Sequence, residues 1–292
     1  MPDEHKRLVN HLQGLLASVI GLVCAMQIAH AYAPLTTDDA GTVGYKTTQI
    51  ELYGNYIREH GAVDARVDST GSFGVYEGLS PVIPTTLVYM RGLSESLDIY
   101  LGATYFRTPT GGFSPIANYN IGVKWRLYGD GENKFSFTFK PQIIFPSTNT
   151  QQNYGLGNAA LNFGALAIAS YFWDNAELHA NIGYMRAPYN TAESVKFSTD
   201  ANRTNLYSLS IAPVWRLTSD FKLALDTGIN TNPAIANQSL INYVMLAAIY
   251  SPVKSVDIGI SAQRFATDIG TIFSGSGSYT NRIQAGVTWR YY

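Results

Sequence analysis

The stretch Lys134–Phe145, KFSFTFKPQIIF, sets Phe135, Phe137, Phe139, Pro141, Ile143 and Phe145 on one face. Ser136, Thr138, Lys140, Gln142 and Ile144 take the other. NYNIGVKWRLY (Asn118–Tyr128) and LDIYLGATYF (Leu97–Phe106) repeat the pattern. Alternation of period two over about ten residues predicts strands, and no helical period competes with it. Twelve such segments follow one another: 46–59, 81–93, 96–106, 117–128, 133–146, 159–173, 175–187, 204–217, 220–230, 240–250, 254–265 and 279–292. The second and sixth have mixed faces. Pro141 and Pro213 fall inside strands, where a missing N–H weakens the ladder and predicts a bulge or bend.

The connections alternate in length. SES, GDGENK, WDNA, TSD and SPVKS are tight, whereas 60–80, 107–116, 147–158, 188–203, 231–239 and 266–278 are long and rich in Gly, Ser, Asn and Thr. Strands of about ten residues, with short turns at one end and long loops at the other, predict an outer-membrane barrel. The expected fold is therefore all-β: a single antiparallel transmembrane β-barrel of about twelve strands, covering 46–292. An even strand count returns the C-terminus to the end where the first strand began.

The one long apolar run, GLLASVIGLVCAM (Gly14–Met26), is too short for a spanning helix, which needs about 20 residues. Lys6 and Arg7 precede it and Ala-His-Ala (Ala29–Ala31) follows, as in a cleaved signal peptide. Residues 1–31 are read as that peptide, with the cut between Ala31 and Tyr32. Residues 32–45 are then a periplasmic N-terminal segment.

Composition agrees with dispersed rather than clustered apolar residues. Charged residues make up 14%, aromatics 13% with 20 Tyr, and mean hydropathy is −0.03. The net charge of −1 gives no reason to expect nucleic-acid binding. Cleavage would remove Cys24, the only cysteine, which excludes a disulfide scaffold.

The alternation also assigns faces. Trp125, Trp173, Trp215 and Trp289 fall at the ends of the fourth, sixth, eighth and twelfth strands, with Tyr250 in the matching place on the tenth. All point outward at the short-turn end, where an indole can sit between hydrocarbon and headgroups. The residue after three of these Trp is an arginine, so Arg126, Arg216 and Arg290 point into the lumen. Each preceding strand starts with an inward acid, Asp98, Glu177 or Asp257, which predicts three Arg–carboxylate pairs. Lys124, Lys140, Lys222 and Arg282 against Glu51 and Asp226 complete a lumen list of mixed sign. Asp38 and Asp39, in the segment before the first strand, are expected to fold into the periplasmic mouth beside Arg126, Arg216 or Arg290 as a plug. The alternative is a solvated, loose leader.

Little points to catalysis. The chain beyond residue 31 has two histidines, His60 and His179, and the sequence places no serine beside His179. A transition-metal site lacks ligands, and phosphate-loop and dinucleotide motifs are absent, so no metal and no cofactor is expected.

The stretch PLTTDDAGTVGYKTTQIEL (Pro34–Leu52) resembles the opening of the outer-membrane barrel family labelled "putative MetA-pathway of phenol degradation". Pro34, Leu35, Thr37, Asp38, Asp39, Gly41, Thr42, Gln49 and Glu51 carry the likeness. The end, Gly286, Val287, Thr288, Trp289, Arg290 and Tyr291 followed by Tyr292, resembles the family's C-terminal strand. The resemblance implies a transporter-like channel in a bacterial outer membrane, linked by its name to aromatic or hydrophobic solutes. It also implies that the terminal strand is read by the barrel-assembly machinery. The expected partners are outer-membrane lipid and lipopolysaccharide, that machinery and a small-molecule solute. The competing readings are a non-conducting barrel whose surface loops bind a partner and, third, a barrel enzyme acting on lipid.

Overall fold

A computed structural model describes residues 33–60, 81–188, 203–233 and 239–292. The expected signal peptide and its cut, and most of the connections at 60–80, 188–203 and 231–239, lie outside the described residues. The alternating segments become twelve antiparallel strands: β1 (Thr48–His60), β2 (Pro84–Ser94), β3 (Leu97–Phe106), β4 (Ile116–Tyr128), β5 (Lys134–Ile144), β6 (Asn162–Phe172), β7 (Ala176–Arg186), β8 (Asn205–Arg216), β9 (Phe221–Thr231), β10 (Leu240–Val253), β11 (Val256–Ala266) and β12 (Tyr279–Tyr291). Each pairs with its sequence neighbour, and β1 pairs with β12 from Thr48↔Tyr291 to His60↔Tyr279. Closure leaves no strand edge without a ladder. Two short helices, α1 (Asn149–Asn153) and α2 (Ile269–Ser274), sit in long connections. The α1 end is capped by Thr148, whose hydroxyl accepts from Gln151 N–H.

The two prolines weaken the ladder as expected, but without a bulge. Beside Pro141 the β4–β5 ladder loses the pairs between Gly122↔Gln142 and Trp125↔Phe139, but its register is unchanged. Beside Pro213 the β8–β9 ladder is likewise interrupted between Ile211↔Thr227 and Val214↔Ala224 without a shift. Each proline keeps its pairing with its other neighbour, Ala165 or Leu178. The missing N–H therefore opens one seam locally and inserts no extra residue.

Outward residues of the strands are large, apolar and exposed, as with Leu52, Leu101, Phe139, Ile182, Leu246 and Ile260. The interior is divided. Toward the short turns it is charged and polar: Asp98, Lys124, Glu177, His179, Asp257 and Arg290 are buried there. Toward the long connections it is apolar. Ile57, Phe106 and Ala117 pack with Val82 and Leu156, and Ile241, Tyr243 and Phe265 form a second cluster. The leading turn of this apolar end is closed by α1, where Gln151 Nε2 donates to Ser114 O and Ile116 O.

Candidate functional site

The chain before β1 turns back into the barrel. At the short-turn end, Lys46 N–H donates to Gly92 O and Gly92 N–H to Thr47 O. Gly92 is required there, since a Cβ would lie 1.8 Å from Gly44 O. From that hinge the segment from Ala33 to Gly44 runs round the inner wall. Thr42 Oγ1 donates to Glu95 O, and Val43 N–H to Asp98 Oδ2 (3.0 Å). Ala40 N–H donates to Ser170 Oγ (2.8 Å), and Ala40 O accepts from Thr138 Oγ1 (2.6 Å). The Asn181 amide, oriented to donate to Asp38 O (2.9 Å) and accept from Asp38 N–H (2.6 Å), holds the next residue. Leu35 packs against Val214, Ala224, Met245 and Ala247 from β8, β9 and β10. Gly259 admits the Pro34 ring, and Tyr53 Oη donates to Ala33 O (3.0 Å). The segment thus meets the wall all the way round.

Two anchors, each built on an aspartate, hold it. Asp38 bridges Lys124 (3.0 Å) and Lys140 (2.6 Å), and Asp39 reaches Lys124 at 3.2 Å. Burial works to raise the Asp38 carboxyl, but the two ammonium groups outweigh it and hold it well below the usual carboxylate range. Burial pushes the Asp39 carboxyl up against the pull of Lys124, and the Asp38 charge adds to the rise. Asp39 Oδ2 has no hydrogen-bond partner among the described residues. At the far anchor the Asp226 carboxylate accepts from Thr36 N–H, Thr37 N–H, Thr37 Oγ1 and Tyr243 Oη, all within 2.9 Å. Gln263 Nε2 and Arg282 donate to Thr36 Oγ1.

The aspartates therefore meet lysines, not Arg126, Arg216 or Arg290. The segment climbs past the arginine level: Lys124 is the next inward residue above Arg126 on β4, and Asp226 is the sixth residue of β9.

Of the three expected Arg–carboxylate pairs, two form. Arg216 and Lys222 both bind Glu177 Oε1, at 2.7 and 3.0 Å. Arg290 binds Asp257 (2.5 Å), and its Nε also donates to Gln49 Oε1. The third does not. Arg126 donates to Glu95 O instead, and Asp98 takes Val43 N–H. The strand offset is the same in all three cases. Glu177 faces Val214 and Asp257 faces Thr288, but Asp98 faces Lys124. A bulky cation in that position, together with the segment passing over Asp98, leaves Arg126 to turn toward the 95–96 turn.

Trp125, Trp173, Trp215, Trp289 and Tyr250 lie outside, at 45–50% exposure, beside the short turns. Tyr171 packs on Trp173 and Tyr291 on Trp289, with ring centroids 4.5 and 4.8 Å apart.

One contact was not legible in the sequence. The β6–β7 register sets Ser170 opposite His179, with Oγ 2.7 Å from Nδ1, and His179 Nε2 lies 3.4 Å from Glu177 Oε2. Serine, histidine and acid are all buried. The serine oxygen is engaged by Ala40 N–H, so the trio braces the segment against the wall. Its only trace in the sequence is inward position on consecutive strands.

Residues 31–268 match the family model described as "Putative MetA-pathway of phenol degradation". The chain belongs to this family. The fold of this chain is similar to that of an outer membrane channel from Pseudomonas putida F1, with a TM-score of 0.54 at 10% identity, covering 87% of this chain and 98% of that one. The NanC porin is similar at a TM-score of 0.52 and 11% identity, covering 82% of this chain and 98% of that one. No curated protein matches the chain in sequence. These likenesses establish the fold, an outer-membrane-type barrel.

Proposed function

We propose that this family member is an outer-membrane channel for passive uptake of small solutes, shut in the conformation described by its own N-terminal segment. The observation that carries the reading is that the segment from Ala33 to Gly44 occupies the lumen without belonging to the wall. Eight strands enclose an interior that wall side chains fill, while 16–18 leave an aqueous channel. With twelve, the remaining space is taken by a stretch held through hydrogen bonds and ion pairs. Contacts of that kind can be exchanged for water, and none of them belongs to the strand ladders, so the stretch can leave without unfolding the wall.

The apolar half of the interior supports solutes with an aromatic or hydrophobic body. Ile57 and Phe106 in one packed cluster, and Tyr243 and Phe265 in another, fill the end facing the long connections. Such a solute would leave water there and then pass the charged half once the segment moves. In this reading the long connections face outside, and the exposed Trp and Tyr residues mark the periplasmic headgroup level.

Planar-bilayer conductance of the refolded protein tests it. Deleting Pro34–Val43 should raise single-channel conductance, and Asp38→Asn with Asp39→Asn should give part of the rise. A correctly folded deletion with unchanged conductance would sink the channel-and-plug reading and favour a non-conducting barrel. Liposome swelling with aromatic acids against sugars of similar size then tests the solute class.

A further inference from the structure

On the outer surface, at the end of the barrel opposite the tryptophans, three strands present a basic row. Arg58 of β1 faces Asn281 of β12, and Asn281 faces Arg264 of β11. All three point outward, because their strand neighbours Ile57, Phe265 and Arg282 are buried inside. Adjacent strands are about 4.8 Å apart, so two strand spacings separate the arginine backbones. Two residue pairs further along, His60 stacks on Tyr279 (4.6 Å between centroids). The Arg264 guanidinium lies over the same Tyr279 ring at 4.4 Å, while its Nε donates to Asn281 Oδ1 (2.9 Å) and its Nη1 to Ile272 O (3.2 Å). Arg264 is thus held in place, and Arg58 is exposed beside it. Neither guanidinium is ion-paired among the described residues.

The height of this row is telling. Asn281 precedes Trp289 by eight residues on β12. At about 3.4 Å per residue and a tilt of roughly 40°, that is a rise of about 21 Å. The apolar band of such barrels is about 25 Å tall. The arginines therefore stand at the far edge of the band. Tyr56, Ile260 and Ile283 are exposed below them. A guanidinium there faces hydrocarbon on one side and headgroups on the other, and its planar donors match a phosphate bidentately.

We infer that Arg58, Arg264 and Asn281, with His60 at the margin, form a docking site for the phosphorylated headgroup of an outer-leaflet lipid. The site rests on the reading that the long connections face outward, which places this rim in the leaflet carrying phosphorylated saccharolipid. Arg264 supplies a fixed clamp, Arg58 closes from the neighbouring strand, and the Asn281 amide lies between them. Acyl chains then run down over Tyr56, Ile283 and Ile260.

Native mass spectrometry of the refolded full barrel with bis-phosphorylated lipid A tests the site, with chemically dephosphorylated lipid A as the comparison. The Arg58→Gln/Arg264→Gln variant should lose roughly tenfold or more in lipid A affinity, as expected for lost charge-assisted hydrogen bonds. Arg58→Lys/Arg264→Lys should keep part of it, and Arg91→Gln, at the opposite rim, should keep all of it. Heat-shifted gel migration checks that each variant is folded. Equal affinity of the double Gln variant and the parent overturns the site, as does equal affinity of the parent for both forms of lipid A. A failure of the orientation itself shows separately, in the tag experiment described below, without reference to lipid affinity.

Discussion

Asp38 is the residue on which the lumen's charge pairing turns. Two lysines hold its carboxyl below the ordinary value of 3.8, so its ionised form ties the segment to β4 and β5. A depressed carboxyl contributes fully above the ordinary value, and its contribution is lost as pH falls below it. Asp39 has the opposite sign: burial raises its carboxyl, its neutral form suits the site, and acid does not loosen it. The segment should therefore stay seated from neutral pH down to about 3.8 and release below that. Single-channel conductance recorded against pH should rise in this acid window, and Asp38→Asn should abolish the step because no carboxylate remains there to titrate, with conductance already partly raised at neutral pH. A conductance that climbs instead as pH rises toward neutrality would contradict the assignment. At this scale the sequence was half informative. Inward position of Lys124, Lys140, Glu177 and Asp257 follows from alternation alone. Partner choice does not, because it depends on how far the segment climbs and on which side chain faces Asp98. With Lys124 opposite Asp98 and Val43 N–H on its carboxylate, Arg126 turns to Glu95 O instead.

At the scale of the strand, faces and lengths were legible because period two is a local property. β3, expected over 96–106, runs Leu97–Phe106, and β9, expected over 220–230, runs Phe221–Thr231. The mixed-face strands were less well bounded. β6, expected from 159, begins at Asn162, since Ala159 N–H donates to Gln152 Oε1 in the loop instead. The prolines were expected to weaken the ladder and cause a bulge or bend; they interrupt one seam each, without a bulge at that point. The face assignment itself can be tested on β5. Phe139 is outward in mid-strand, and Phe139→Arg should destabilise the folded barrel by about 2–4 kcal/mol, with Phe139→Leu close to neutral. Urea-unfolding midpoints in lipid vesicles would measure both, and equal effects would mean that this face does not meet lipid.

Across the whole molecule, the alternation of short and long connections was enough to anticipate a closed sheet, because antiparallel strands joined in sequence have few other ways to lose both edges. What it could not show was the division of the interior. The outer clusters draw Leu156 and Val82 from connections, and nothing local says that a loop residue turns inward. The orientation has its own test. A tag inserted beside Gly275, in the connection between β11 and β12, should be labelled on intact cells, and one at Gly131, between β4 and β5, should not. Labelling at Gly131 alone would invert the barrel in its membrane.

The hinge at Gly92 has a consequence for how the lumen closes. Because the segment from Ala33 to Gly44 passes into β1 through a hydrogen-bonded bend, its departure never becomes a dissociation into bulk solution. Closing is unimolecular, and a short tether of this kind sets an effective concentration in the millimolar range. Weak individual contacts then suffice for a mostly shut state. Losing one of them changes the fraction of time spent open in proportion, rather than leaving the passage permanently clear. An unattached peptide of the same sequence would have to reach millimolar levels before it could stand in for the resident one.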